Sequence, residues 1–275
     1  MNEPGDNLAT LFELAPGSAN DYVGQGLQYP WGGLYGGHIV AQALRAAAHS
    51  TADGLLPHSL RAYFIRRGNN AEPVRYEVDR IRDGRSFATR RVVASQHGEA
   101  ILNLEASFHR TEDSPDIQTL SFPAAHAMPA SIASDTWSSL FDRRYVPETL
   151  LPATATGGIG RVAAWMRATG DFGGDELLHR CALAYLSDDL PCEAVIRAWP
   201  DARRYLESTG THPFNASLDH AVWFHRTVRA DRWHLHDVSC HNFAGGRGLA
   251  IGHVFDEDGL HVATVAQEAL VRLPP

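Results

Sequence analysis

Two segments of the chain carry apolar residues at helical spacing. The first runs from roughly Gly37 to His49 and follows two glycine pairs in "WGGLYGGHIVAQALRAAA". Its apolar positions fall on one face of a helix: Ile39, Val40, Ala43, Leu44 and Ala47. The second segment, "DELLHRCALAYLSDD", opens with Asp175 and Glu176, which favour a helix N-terminus. The pattern therefore predicts one long helix in each half of the chain.

Each predicted helix is followed by segments that alternate between apolar and polar residues, which is typical of half-buried strands. "HSLRAYFIRRG" in the first half corresponds to "SLDHAVWFHRT" in the second, and each leads to a Gly-Arg pair and a glycine-centred turn. Phe64 and Gly84 are 20 residues apart, and Phe224 and Gly246 are 22 apart. The chain is thus predicted to duplicate a unit of one helix and an antiparallel sheet, an α+β architecture.

A stretch rich in proline, serine and alanine at 111–135 separates the two units and predicts a linker. We expect an N-terminal domain at 1–112, a linker at 113–142 and a C-terminal domain at 143–275. The two units should share one continuous sheet, with their helices side by side, so that one chain forms the whole pair. Further association into a homo-oligomer would then use the outer sheet faces or edges.

The composition excludes several classes of function. The 275-residue chain has a formal net charge of −8 at pH 7, which argues against a general nucleic-acid binder. No apolar run approaches the ~20 residues of a membrane span. All 24 basic residues are arginines, so Schiff-base chemistry on a lysine is excluded. Three widely spaced cysteines and an acidic N-terminus without a signal pattern lead us to expect a reduced, cytoplasmic protein.

Arginines are concentrated between Arg61 and Arg91, where nine of them accompany four acidic residues. One interpretation is a solvated strand face. The other is a surface that binds an anionic ligand such as a nucleotide, because guanidinium groups bind phosphate through two parallel hydrogen bonds.

Six ordered blocks of the sequence resemble the acyl-CoA thioesterase II family: "YGGHIVAQAL", "HSLRAYFIRRG", "RDGRSFATRRV", "LHRCALAYLSD", "SLDHAVWFHR" and "VATVAQEALVR". The resemblance covers nearly the whole chain outside the linker. It implies a double hotdog fold and the hydrolysis of fatty acyl-CoA to free fatty acid and CoA. The resemblance implies neither a metal nor another cofactor. The substrate that it implies is the small molecule acyl-CoA.

The resemblance also implies three catalytic side chains that hold a water molecule: Asp188 in "AYLSD", Ser217 in "ASLDH" and Gln267 in "VAQE". Many members of the family carry threonine at the Ser217 position, and a one-residue slip would exchange Asp188 for Asp189. From the pattern alone, Gln267 shares a strand face with small apolar residues and is either a satisfied core amide or a ligand contact. Asp188 ends its helix, where the dipole raises the proton affinity of a carboxylate, or it simply stops the helix.

The glycines before the first helix fit the same chemistry. A helix N-terminus offers unpaired N–H groups to the negative charge that develops on a thioester oxygen, and glycine admits the substrate to that backbone. Gly36 and Gly37 are therefore candidate substrate-binding residues, with His38 assisting. The alternative is close packing of the helix end against a sheet.

Other interpretations remain open. A hotdog enoyl-CoA hydratase would need an Asp/His pair, and Asp53 and His58 have that spacing, although without the expected Asn-Pro. A non-catalytic acyl-CoA-binding protein would keep the apolar tunnel without Asp188. "HLHDVSCH" offers His234 and His236 on one strand face, and we expect solvent-facing histidines there rather than a zinc site.

Overall fold

The computed structural model describes residues 7–123, 129–151 and 160–274. Its helices are α1 (Leu8–Leu11), α2 (Gly36–His49), α3 (Glu176–Ser187), α4 (Pro191–Ala198) and α5 (Pro200–Thr209). Its strands are β1 (Leu14–Pro16), β2 (Asp21–Gly24), β3 (Leu55–Phe64), β4 (Val74–Asp83), β5 (Phe87–Gln96), β6 (Glu99–Arg110), β7 (Phe141–Tyr145), β8 (Arg161–Ala168), β9 (Phe214–Ser217), β10 (Asp219–Phe224), β11 (His234–Ala244), β12 (Arg247–Asp256) and β13 (His261–Arg272). None of the described helices is long and apolar enough to cross a membrane.

One antiparallel sheet passes through both halves of the chain. Its order is β1-β2-β4-β5-β6-β3-β10-β13-β12-β11-β8-β7, and β9 pairs with β13. The halves meet where β3 pairs with β10, with Asp219 opposite Tyr63 and Trp223 opposite Ser59. The predicted α+β architecture with one shared sheet is therefore confirmed.

The two predicted helices pack against each other on one face of this sheet. The Tyr35 hydroxyl, just before α2, donates a hydrogen bond of 2.9 Å to the carbonyl of Tyr185 in α3. A Cβ built on Gly37 would lie 2.3 Å from the same carbonyl oxygen, so only glycine permits this approach. Close packing of the helix end, which was one of the two interpretations of these glycines, is thus present, against α3 at Gly37 and also against Phe64 of β3 at Gly36.

Two further helices, α4 and α5, follow α3 and were not predicted. Each begins with a proline, whose fixed φ and missing N–H suit the first turn of a helix. Helix α4 buries Ala194, Val195 and Ile196 against the sheet. A Cβ on Gly248 of β12 would lie 2.5 Å from the Val195 side chain, which shows how closely α4 approaches.

Residues 118–122 of the linker lie on the outer face of the second half. Leu120 and Phe122 pack against a small apolar cluster that includes Trp165 and Phe255. Gln118 accepts a hydrogen bond of 2.8 Å from the backbone N–H of His261. The linker therefore covers sheet surface as well as joining the two units.

The strand formed by β9 and β10 contains one extra residue. Ser217 pairs with Ala269 of β13, whereas Ala221, four residues later, pairs with Ala266, three residues earlier. This offset is a β-bulge at Leu218, which changes the side of the sheet on which successive side chains lie. As a result, residues on both sides of the bulge face the same helix-covered side.

The expectation of solvent-facing histidines in β11 is wrong. His234 and His236 are 1% and 2% exposed, because alternation places them on the face that the helices cover, together with Val238. Burial lowers the pKa of His236 to about 3, so its ring is neutral. Among the described residues no group of three or more His, Cys, Asp or Glu side chains could hold a metal ion.

The arginines between 61 and 91 are mostly engaged in ion pairs. Six of the nine lie beside carboxylates: Arg61, Arg66, Arg75, Arg80, Arg90 and Arg91. Arg90 differs from the others because its side chain is fully buried. It donates hydrogen bonds to the Ser50 carbonyl (2.8 Å), the Ser50 hydroxyl (2.7 Å) and the Arg82 carbonyl (2.8 Å), and it forms an ion pair with Asp83.

We expect Arg90→Met to lower the free energy of unfolding by about 3 kcal/mol, because it leaves buried acceptors without donors. Denaturant unfolding measures this change. Arg91→Met is the matched control, since the Arg91 side chain is 45% exposed, and it should change stability by less than about 0.5 kcal/mol. Equal effects of the two substitutions would contradict a structural role for Arg90.

Candidate active site

The C-terminal end of α3 carries the carboxylate expected from the sequence. Helix α3 ends at Ser187, and Asp188 is its C-cap, 6% exposed. A Cβ on Gly36 would lie 2.5 Å from Asp188 Oδ2, so the first turn of α2 rests directly against this carboxylate. The two halves of the chain therefore meet at Asp188.

Three predicted site residues lie together around this point. The Ser217 hydroxyl donates a hydrogen bond of 3.4 Å to Asp188 Oδ1. Gln267 Nε2 donates to Ser217 Oγ at 2.8 Å. The Cys192 sulfur, from α4, is 3.6 Å from Ser217 Oγ and 3.7 Å from Gln267 Nε2. Strand β9, strand β13 and the ends of α3 and α4 thus each contribute one side chain.

His220 belongs to this group, and the sequence did not point to it. Its Nδ1 is 2.6 Å from Gln267 Oε1, and its Nε2 is 2.9 Å from the Ser187 hydroxyl. In a regular strand Ser217 and His220 would face opposite sides, because they are three residues apart. The bulge at Leu218 brings both to Gln267, so alternation could not have predicted it.

The carboxyl group of Asp188 binds its proton more tightly than an ordinary aspartate does. Burial is the main cause, and it raises the pKa of Asp188 to about 7, with the nearby charge of Asp189 acting in the same direction. The Gly37 N–H, Ser217 and Gln267 favour the ionised form and partly oppose this rise. The expected direction is present, but desolvation rather than the helix dipole is its main cause.

Asp189 has different partners, although it is adjacent in sequence. Its Oδ1 accepts a hydrogen bond of 2.7 Å from the Trp137 indole, and its Oδ2 accepts one of 2.6 Å from Arg143. Both side chains of the Arg143–Asp189 ion pair are buried. Asp189 is therefore a structural anion that is held by the second half, and Asp188 is the carboxylate beside Ser217.

The glycines and the histidine of α2 separate into two environments. The α2 N-cap, Tyr35, makes no side-chain capping bond, so the N–H groups of the first turn have no partner from that side chain. The Gly37 N–H faces Asp188. His38 instead has its Nδ1 2.9 Å from the Tyr29 hydroxyl, and none of its described contacts joins it to Asp188, Ser217 or Gln267.

Aromatic rings cover the side of the site next to α2. The rings of Tyr35 and Tyr185 are 4.9 Å apart between centroids, and those of Tyr35 and Trp137 are 5.1 Å apart. Trp31, which is 44% exposed, packs on Trp137 at the outer edge of this cluster. The Asp188 side chain is only 3% exposed, so the surrounding side chains shield it from solvent.

Two surface grooves of the described residues lie elsewhere. A cavity of about 460 Å³ is lined by Arg167, Asp231 and Trp233, and one of about 280 Å³ by Leu120, Arg161 and Phe255. The residues Asp188, Ser217, Gln267, Cys192 and His220 are called the Asp188 group. Neither groove contains any of them. The chemistry of the residues, rather than the size of a cavity, identifies the candidate site.

Comparison with known proteins places the chain among enzymes that act on acyl-CoA. The family model described as "Acyl-CoA thioesterase N-terminal domain" matches residues 27–109, and "Acyl-CoA thioesterase C-terminal domain" matches residues 112–271. Acyl-coenzyme A thioesterase 8 of Mus musculus is 36% identical over 88% of this chain and 81% of its own length. Acyl-CoA thioesterase 2 of Haemophilus influenzae is 30% identical over 99% of both chains.

Two solved structures have the same fold as this chain. The acyl-CoA thioesterase II TesB2 from Mycobacterium marinum is 37% identical, with a TM-score of 0.84 over 97% of this chain and 98% of that one. A hot dog fold protein from Alicyclobacillus acidocaldarius, 21% identical, superposes with a TM-score of 0.78 over 98% of each chain. The predicted double hotdog fold is confirmed.

The elevated pKa of Asp188 makes stability depend on pH. An acid whose pKa rises on folding stabilises the native state at low pH, and that contribution is lost as the pH rises from about 4 to about 7. Asp188→Asn removes this dependence, so at pH 8 the variant should melt at a higher temperature than the wild type. At pH 4 the difference should shrink, because the wild-type carboxyl is then protonated.

Asp189→Asn provides the control for this measurement. It breaks the buried ion pair with Arg143, so it should lower the melting temperature at pH 8. Stabilisation by Asp189→Asn together with destabilisation by Asp188→Asn at pH 8 would reverse the two assignments.

Proposed function

Because the chain belongs to the acyl-CoA thioesterase family, we propose that it hydrolyses fatty acyl-CoA to a free fatty acid and CoA at the Asp188 group. The observation that carries the proposal is a buried carboxylate with an elevated pKa beside a hydroxyl and an amide. A base that titrates near pH 7 is matched to removing a proton from water.

The nucleophile in this proposal is water and not a protein side chain. Asp188 accepts the proton of the water as the oxygen attacks the thioester carbon, and Ser217 fixes the position of the water. Gln267 is occupied by Ser217, Cys192 and His220, so it acts by orienting Ser217. Burial raises the pKa of the Cys192 thiol to about 12, which argues against a cysteine nucleophile.

The first turn of α2 supplies the second half of the mechanism. Negative charge develops on the thioester oxygen, and the backbone N–H groups of Gly36 and Gly37 in this first turn stabilise it. The Gly37 N–H already faces Asp188, so Gly36 is the principal donor that we assign. His38, which contacts Tyr29, shapes the wall behind this turn. The thiolate of CoA then leaves as the carbonyl re-forms.

Two alternatives have less support. In the hydratase interpretation Asp53 and His58 would form a pair, but His58 Nε2 is 2.8 Å from the Ser107 hydroxyl, and the described contacts do not join it to Asp53. A non-catalytic binder would have no need for a buried carboxylate of elevated pKa. The domain boundaries, the homo-oligomer, the cytoplasmic location and the absence of a cofactor remain our predictions.

We expect Asp188→Asn to lower kcat for a saturated acyl-CoA on the order of 10²–10⁴-fold, because the base is removed while size is kept. KM should change little, since the substitution leaves the surrounding apolar surface intact. Steady-state release of free CoA thiol measures both quantities. Asp189→Asn should lower stability but keep most of the turnover of the folded enzyme. Near wild-type turnover by Asp188→Asn would refute the assignment.

A pair of substrates separates the three functions. Saturated acyl-CoA and enoyl-CoA are incubated with the protein, and both free thiol and enoyl absorbance are followed. We expect thiol release from the saturated substrate. Loss of enoyl absorbance without thiol would favour a hydratase, and binding without either change would favour a non-catalytic protein.

A further inference from the structure

We propose that His220 is a positioning residue of this site, which fixes the amide of Gln267 and thereby directs the Ser217 hydroxyl toward Asp188. The inference rests on the proposed function and adds a residue to it. His220 lies on β10, and Gln267 lies on the neighbouring strand β13. The register of the two strands places them opposite each other on the helix-covered face.

The geometry around His220 determines which nitrogen carries its proton. Nδ1 is 2.6 Å from Gln267 Oε1, which can only accept, so Nδ1 must donate. Nε2 is 2.9 Å from the Ser187 hydroxyl, whose single proton is shared between this neutral ring nitrogen and the Ala184 carbonyl at 3.1 Å. Burial lowers the pKa of His220 to about 4, so the ring is neutral at physiological pH.

This tautomer determines which group donates in the hydrogen bonds from Gln267 to Ser217 and from Ser217 to Asp188. With its oxygen held by His220, Gln267 must present its NH₂ group to Ser217 Oγ, 2.8 Å away. Ser217 Oγ accepts that bond, so its own proton is available to Asp188 Oδ1. If the amide turned over, its oxygen would take the Ser217 proton, and Asp188 would lose a donor.

Few charged or titratable groups surround His220 and Asp188 among the described residues. Asp188 and Ser187 face His220 from α3, with Asp188 Oδ1 3.9 Å from Nδ1, and Asp219 adjoins it on β10. Asp189 at the end of α3, Cys192 of α4 and Tyr35 before α2 surround Asp188. None of these supplies Gln267 Oε1 with an N–H donor, which makes His220 its partner in the described structure.

A matched pair of variants tests the role of Nδ1. His220→Asn places an amide nitrogen near the position of Nδ1 and keeps a donor for Gln267. His220→Gln places its amide near the position of Nε2 and leaves Gln267 Oε1 without that donor. We expect kcat for a saturated acyl-CoA to fall on the order of 10²-fold in His220→Gln, with little change in KM. His220→Asn should stay within a factor of about ten of the wild type.

The pH profile separates positioning from a structural role. A hydrogen bond to a carboxylate favours its ionised form, so loss of the Ser217 donor raises the pKa of Asp188. The acidic limb of kcat should therefore move to higher pH in His220→Gln and stay in place in His220→Asn. If His220→Gln does not fold, the ring ¹⁵N NMR shifts of wild-type His220 test the same step, because Nδ1 and not Nε2 must carry the proton.

Two results would overturn the inference. One is an unmoved acidic limb in the pH profile of folded His220→Gln, or a wild-type His220 ring that carries its proton on Nε2. The other is an equal loss of kcat in the Asn and Gln variants. If Asp188→Asn is inactive but the acidic limb of the His220→Gln profile stays in place, only the role of His220 is wrong. If Asp188→Asn keeps its activity, the proposed catalytic base itself is wrong.

Discussion

The close contact between the start of α2 and the end of α3 is the constraint on which the site depends. Gly37 lies so near the Tyr185 carbonyl that a methyl group would not fit, and Gly36 lies equally near Asp188. These two helices belong to different halves of the chain, and the shared sheet holds them side by side. The site therefore exists only when both halves are folded together, with the glycine backbone from one and the carboxylate, hydroxyl and amide from the other.

Burial gives the site its chemistry and also limits its stability. A carboxylate removed from water costs free energy, and that cost is the same effect that raises its affinity for a proton. The surrounding polar groups lower the cost through hydrogen bonds with fixed directions, from His220 through Gln267 and Ser217. The burial of Asp189, one residue away, is compensated in a different way, because this carboxylate forms a buried ion pair with Arg143. Neighbouring acids thus have different environments because their partners differ.

Much of the fold followed from the sequence, because the helical and alternating patterns are strong and duplicated. Helix α2 and the continuous sheet through both halves are as expected. The pattern did not predict α4 and α5, whose short apolar faces have no counterpart in the first half. Nor could it show that His234 faces the helices, since alternation states which residues share a face but not which face is covered. His220 was missed for a different reason, because a bulge breaks the alternation that any such prediction assumes.

That bulge makes the number of residues in this strand as important as their identity. Regular pairing tolerates substitution at many positions, but the loss of Leu218 would turn either Ser217 or His220 to the opposite face of the sheet. Deletion of this leucine would then break the series of hydrogen bonds from His220 to Asp188, although every polar residue in it would still be present. Insertions and deletions in this strand should consequently be tolerated less well across related sequences than exchanges of its side chains.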